Sequence, residues 1–289
     1  MLQQRAPAQL IEEEIKSFVR TSPTGRMPFI GDFNMFDEPL VRFASANDPL
    51  FAEYKKVIAP THLTPHEALS QAYGKNIVDM PKHLSVVSWI LPIAEETRQS
   101  NRSQTKIPTR LWSETRWYGE KSNEALRAHM VETIKEMGYL AVAPAIQPYF
   151  KISVNERGKH SNWSERHIAY VAGHGTFSLS DGFISERGIA IRCGSLVTNM
   201  ELPASPRTAQ GPYENCLFYA GVNCRACIDR CPVGAVTEKG HDKIRCDTYL
   251  NKELSYLLKE YNVGVGGCGL CQTKVPCEFS NPAKKIKQK

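Results

Sequence analysis

The sequence predicts a mixed α/β (α+β) body followed by a smaller cysteine-rich unit, and three observations carry that expectation. Helical and strand-like periodicities alternate through the first two thirds of the 289 residues. Of the nine cysteines, all but Cys193 fall at or after Cys216. Between the two regions runs Leu202 to Pro212, LPASPRTAQGP, with the proline-rich composition of a linker. We therefore expect one domain over residues 1–205 and a second over 206–289, the latter ending in a basic tail. With 42% hydrophobic and 23% charged residues the chain is neither disordered nor fibrous. No apolar run approaches the roughly 20 residues of a membrane-spanning helix. The start, MLQQRAPAQLIEEEIKSFVR, sets three glutamates where an export signal would be apolar, so a cytoplasmic location is expected.

The elements follow in order. Leu10, Ile11, Ile15, Phe18 and Val19 line one helical face, and the helix should stop before Ser22-Pro23-Thr24-Gly25. After the apolar stretch Leu40 to Ala44, Asp48 can cap a helix that has Pro49 in its first turn and Leu50, Phe51, Tyr54, Val57 and Ile58 on its buried face. Thr64-Pro65-His66-Glu67 fits a capping box, in which threonine oxygen and glutamate carboxylate satisfy each other's free backbone donors. Ser85 to Leu91, SVVSWIL, reads as a core strand. A helix is expected from Asn123 to Met137, with Gly138 as its stop and a strand over Tyr139 to Ala143. Ser164 to Ala172 should be helical and end at Gly173. The loop Gly173-His174-Gly175-Thr176 comes next, then a hairpin turning at Glu186-Arg187-Gly188, with Ile189, Ile191 and Cys193 on one face of its returning strand.

The cysteine spacing carries the chemistry. Cys224-Arg-Ala-Cys227-Ile-Asp-Arg-Cys231-Pro232 reproduces the last three cysteines of the bacterial ferredoxin run C-x2-C-x2-C-x3-C-P. A tight loop presents two thiolates to one cube, and the cysteine before proline points toward a second. The usual first position falls at Gly221, so Cys216 is the substitute; Cys246, Cys268, Cys271 and Cys277 supply the rest. Crossed ligation gives one [4Fe-4S] cluster to Cys216, Cys224, Cys227 and Cys277, and another to Cys231, Cys246, Cys268 and Cys271. A zinc ribbon is the alternative, but its two C-x2-C pairs usually lie about 15 to 20 residues apart, against 40 here. Cys193, on an apolar strand face, reads as a packed core thiol.

Joined to the preceding Gly173-His174-Gly175-Thr176-Phe177 and Gly194-Ser195-Leu196-Val197-Thr198, this cysteine unit resembles the epoxyqueuosine reductase and reductive dehalogenase superfamily, most of all its short epoxyqueuosine reductase-like ferredoxin proteins. The likeness covers roughly Trp117 to Cys277. It implies a nitroreductase-like domain binding cobalamin in base-off form, followed by a two-cluster ferredoxin-like domain relaying single electrons to the cobalt; the same fold could hold a flavin. Gly173, Gly175, Thr176, Gly194 and Ser195 carry over as corrinoid contacts. Arg166, His167, His174 and Arg192 flank these elements and could bind phosphate or amide groups. Where the family has Tyr-Gly-Arg-Asp-Tyr-His with an acidic proton donor, this chain has Tyr118-Gly119-Glu120-Lys121-Ser122-Asn123, expected to open a helix. Lys121, Glu120 and Tyr118 are thus the candidate catalytic residues.

Two functions follow. The first is a cobalamin-dependent iron-sulfur reductase, fed by a low-potential donor of ferredoxin or flavodoxin type and acting on a small-molecule or nucleoside-like substrate. The second is a ferredoxin-type electron-transfer protein that reduces a partner such as a corrinoid protein. A formal charge of +6 could suggest tRNA, but four of the lysines sit in the last seven residues, and no basic stripe interleaved with aromatics supports RNA binding.

Overall fold

The computed structural model describes residues 6–285. Its elements are α1 (Pro7–Thr21), β1 (Leu40–Ser45), α2 (Leu50–Val57), α3 (Pro65–Tyr73), β2 (Ser85–Pro92), α4 (Glu95–Arg102), α5 (Arg110–Glu136), β3 (Ala141–Val142), β4 (Ile152–Asn155), β5 (Gly158–Ser161), α6 (Glu165–Val171), β6 (Gly175–Phe177), β7 (Phe183–Ser185) and β8 (Ile191–Thr198). The cysteine-rich unit adds α7 (Ala226–Asp229), β9 (Val236–Thr237), β10 (Gly240–His241), α8 (Lys243–Thr248) and α9 (Tyr256–Glu260).

The body is built on a four-stranded sheet in the order β1-β2-β8-β3, every pair antiparallel. All eight residues of β2 are buried, because helices cover both faces. Period-2 alternation divides them. Val87, Trp89 and Leu91 join Leu196 of β8 in a core completed by Ile11 and Ile15 of α1 and by Leu126, Met130 and Ile134 of α5. Val86 and Val197 face the other way, onto Phe51, Leu69, Trp163 and Ile168. Gly194 lets α5 come close: a β-carbon there would stand 2.3 Å from the Trp89 indole and 2.7 Å from Asn123 Oδ1.

Local signals end the elements as expected. Asp48 Oδ1 accepts from Leu50 N at 3.0 Å, and Thr64 and Glu67 complete their reciprocal box at 3.3 and 2.8 Å. Gly138 and Gly173 take φ of +90° and +79°, the left-handed turn that stops a helix. Three expectations are corrected. Helix α5 starts at Arg110, capped by Thr109 Oγ1 on Trp112 N at 3.2 Å, so its 27 residues include Tyr118 to Asn123 in mid-helix. Gly119 is tolerated inside it because the Phe36 ring occupies the space of the missing side chain, 2.8 Å from where a β-carbon would be. Residues 175–185 form the hairpin, as β6 and β7, and the strand after Gly188 leaves it to pair with β2. An eight-residue buried partner outbids a three-residue hairpin arm for the same backbone donors. Lastly, Gly175 and Thr176 are strand residues, not loop.

Residues 202–212 hold no helix or strand. Ser205 exchanges bonds of 2.8 and 3.0 Å with the backbone of Phe43 on the outer edge of β1, and Arg207 reaches Asp48 Oδ2 at 2.9 Å. Of the basic tail, Lys284 pairs with Glu186 at 2.8 Å; the end of the tail, with the first five residues of the chain, lies outside the described residues. Among the described residues no helix is long and apolar enough to cross a membrane.

Candidate functional site

The cysteines fall into two neighbourhoods. Cys216, Cys224, Cys227 and Cys277 line one cavity, walled otherwise by apolar side chains such as Ile184, Ile189 and Val275. Burial pushes the Cys227 thiol up to about 11, with the neighbouring Cys216 and Cys224 adding to the shift, and raises Cys277 further for the same reasons. Cys268 is likewise pushed up to about 11, by burial and then by Cys246 and Cys231, while Cys271 rises through burial and the nearness of Cys268 and Cys246. Thiols held this high stay protonated at neutral pH unless a cationic group neutralises them. Among the described residues no three His, Cys, Asp or Glu side chains converge as they would around one ion. Cys193 is buried with Ile90, Ala169 and Phe183, and burial pushes its thiol up to about 12.

Cys246, Cys268 and Cys271 also line a cleft of about 710 Å³ between the cysteine-rich unit and the body. Its other wall is the inward face of α5, where Arg116, Glu120, Glu124 and Arg127 recur at helical spacing, with Glu165 at the start of α6 and Arg192 on β8. Glu120 is gripped on both oxygens: Arg127 Nη1 donates to Oε1 at 2.8 Å, and Arg192 Nη1 donates to Oε2. Burial alone would raise this carboxyl, but the two guanidinium groups hold it below the usual range. Burial lowers Arg192 to about 10, against the pull of Glu120. Arg192 Nη2 also donates to Arg116 O at 2.6 Å. Behind this layer Asn123 donates to Cys193 O at 2.9 Å and accepts from Trp89 Nε1 at 2.8 Å, which locks α5 to the sheet.

The structure separates the residues named from sequence. Glu120, Arg166 and Arg192 line the cleft, and Ser195 lies just behind it, accepting from Trp163 Nε1 at 2.9 Å. Lys121 does not line the cleft: it is exposed about a quarter-turn round α5 from Glu120, its Nζ 4.4 Å above the Trp117 ring. Tyr118 donates to Asn262 O at 3.1 Å and so ties α5 to the cysteine-rich unit. His167 lines a second cavity of about 810 Å³, where burial lowers it to about 3. Gly173, His174, Gly175 and Thr176 lie away from both. Gly173 turns a helix end, His174 Nε2 donates to Ser88 O at 3.0 Å, Gly175 leaves room for the Ile184 carbonyl, and Thr176 accepts from Asn215 N at 2.8 Å. Arg116, Arg127 and Glu165 escape sequence reading. Their one local signal is the 116-120-124-127 stripe of charge, which looks like a solvated face until the cysteine-rich unit covers it.

The large cleft and the second cavity share Arg116, Ile152, Ser161, Ser164 and Arg166. Each lies within the roughly 300–1,000 Å³ that holds a drug-sized ligand. Arginines facing Phe150 and Trp163 across one space suit a ligand with polar arms on an apolar body, and thiols gathered in a mostly apolar cavity suit a metal centre.

The fold is shared with reductive dehalogenases. It superposes with TM-score 0.52 at 13% identity on one whose structure suggested a mechanism for B12-dependent dehalogenation, over 86% of this chain and 31% of that one. It matches equally, at 0.52 and 12% identity, a catabolic reductive dehalogenase solved with 3-bromo-4-hydroxybenzoic acid, over 97% of this chain and 38% of that one. No family model matches. In sequence the chain is 31% identical over 119 residues to an epoxyqueuosine reductase of Bacillus anthracis, covering 39% of this chain and 29% of the relative. The same identity holds over 120 residues with the enzyme of Bacillus subtilis strain 168, covering 39% and 28%. The matched segment thus spans less than a third of these curated relatives. The sequence likeness to epoxyqueuosine reductases and the fold shared with reductive dehalogenases both support a relation to that superfamily.

Proposed function

We propose that this chain is an iron-sulfur reductase in which two [4Fe-4S] clusters, one held by Cys216, Cys224, Cys227 and Cys277 and the other by Cys231, Cys246, Cys268 and Cys271, feed a base-off corrinoid in the cleft. The observation that carries the reading is the position of Cys246, Cys268 and Cys271. They open onto the same cleft as the buried Arg-Glu network, so an electron leaving that cluster enters the space where a substrate would be bound. The corrinoid, when bound, supplies a low-potential centre able to reduce the substrate. The chain's own residues do the rest. Arg116 and Arg192 present positive charge to the cleft, with Glu120 fixing the guanidinium of Arg192. Phe150 and the buried Trp163 form its apolar side. We assign residues 1–205 to the cofactor and substrate domain and 206–289 to the cluster domain, with a low-potential ferredoxin or flavodoxin as electron donor and a small or nucleoside-like molecule as substrate.

The test is an anaerobic cofactor inventory of the purified chain. About eight irons per chain with a base-off corrinoid spectrum, bound on isolation or after incubation with cobalamin, is the expected result. Iron without any organic cofactor would shift the assignment to an electron-transfer protein, and zinc in place of iron would overturn both.

A further inference from the structure

Two glutamates enter the cleft from opposite elements, and their surroundings differ. Glu120 has a guanidinium on each oxygen. Glu165 has none aligned with it: Arg127 Nη2 stands 3.1 Å from Oε1, yet that oxygen makes no hydrogen bond. The same Nη2 donates to Cys193 O at 3.3 Å, and Nη1 is committed to Glu120. The other oxygen has a directed partner. An indole N–H can only donate, so Trp163 Nε1 gives its hydrogen to Ser195 Oγ, and Ser195 donates its own to the ionised Glu165 at Oε2. Once the carboxyl takes a proton, Oε2 can donate it to the second lone pair of Ser195, while Oε1 has no hydrogen-bond partner. The side chain is only 17% exposed and lines the cleft.

Resting on the reading above, we infer that Glu165 is the proton-donating acid of the cleft, the part that Lys121, exposed and outside the cleft lining, is not placed to play. The groups acting on it are Arg127 and Glu120 from α5 and Ser195 and Cys193 from β8, while Arg192, Arg166 and His241 line the same cleft. Burial, aided by the negative charge of Glu120 and opposed by Arg127 and Ser195, pushes the Glu165 carboxyl up to about 7, so the acid form is present at neutral pH. Two carboxyls of one site, one held ionised and one protonated, form the pattern that divides electrostatic and acid roles. In the step itself the Glu165 O–H bond breaks. Its hydrogen bonds to the substrate atom through the electron pair that atom has received from the low-potential donor. The carboxylate left behind takes its next proton from water.

Two measurements on the full chain as isolated, with no substrate added, test this; both read the carboxyl itself, so they fail independently of the inventory above. Infrared difference spectra should show a protonated-carboxyl band titrating near pH 7, lost in Glu165→Gln. Glu120→Gln should keep the band but lower its midpoint, since a negative neighbour is gone and Arg127 is freed. Ser195→Ala should raise the midpoint, and it keeps the inference testable if Glu165→Gln fails to fold. The second measurement is labelling by dicyclohexylcarbodiimide, which attacks protonated carboxyls in apolar surroundings. Mass spectrometry should find the adduct on Glu165 at pH 6, declining as the pH rises through 7. A band that survives Glu165→Gln overturns the inference; so does a band lost in that variant but with no adduct on Glu165, which would make the carboxyl a sealed structural acid.

Discussion

In the α/β body all eight residues of β2 are buried, whereas α7 and α8 of the cysteine-rich unit bury none of theirs. The body is held by close packing on both faces of a sheet. The cysteine-rich unit has strands of two residues, helices of four to six, and small cores in which Val236, Val275, Leu254 and Leu257 meet the cysteines themselves. So little apolar burial does not offset the chain entropy of ordering a unit of this size, and such units take the balance from bound metal. The contrast teaches where each region can keep its free energy: the body in side-chain contacts already present, the cysteine-rich unit, on the function proposed above, in bonds to its clusters. Where the two meet, polar contacts add to the packing of Ile184 and Ile189 against Val236 and Val275. Arg230 donates to Gln104 O at 2.6 Å and to Leu270 O and Thr273 O at 3.2 and 3.1 Å, and Glu278 accepts from Arg102 at 3.0 Å.

The largest expected effect breaks one side only. Cys227→Ala should remove about four irons per chain and loosen the cysteine-rich unit while sparing the body. Hydrogen exchange would then rise over residues 213–277 and stay low in β2 and β8; equal loss of protection in both would refute the division. Next comes the body's own weak point. Trp89→Ala, at a side chain with no solvent exposure, should cost about 3–5 kcal/mol in urea denaturation, with the cluster absorbance unchanged until the body melts. A smaller change should fall on the joint. Arg230→Met removes charged donors to carbonyls on both sides, at about 1.5–3 kcal/mol for such bonds, and should make the two regions melt separately where the parent melts as one. The smallest effect is expected at Lys121→Met, which loses an exposed ammonium-indole contact worth about 0.5–1 kcal/mol. A large loss of stability or of cluster content there would mean that the outer face of α5 matters more than its exposure suggests.

Much of this molecule was legible because its signals are local. The Asp48 cap, the Thr64-Glu67 box and the stops at Gly138 and Gly173 each satisfy backbone groups within a few residues, so the types and spacing of the residues suffice to find them. The cysteine spacing is local in the same sense, since a short loop fixes which thiols can face one way. The start of α5 was missed for the opposite reason. Residues 110–122 carry charge and aromatics on every side, and their stripe becomes apolar or paired only against Phe36, Arg192 and the cysteine-rich unit.

What the sequence determined by itself is therefore the inventory: an α+β chain with eight of its nine cysteines at or after Cys216, and helices whose ends are written in their caps. What only the tertiary structure decided is the site. Glu120 meets Arg192 across 72 positions of chain, Arg127 meets Cys193 across 66, and Ser195 meets Glu165 across 30, because β8 pairs with β2 under α5. No local pattern encodes that pairing. It is set by which strand can bury both faces, and burial also decides which of the two glutamates keeps its proton.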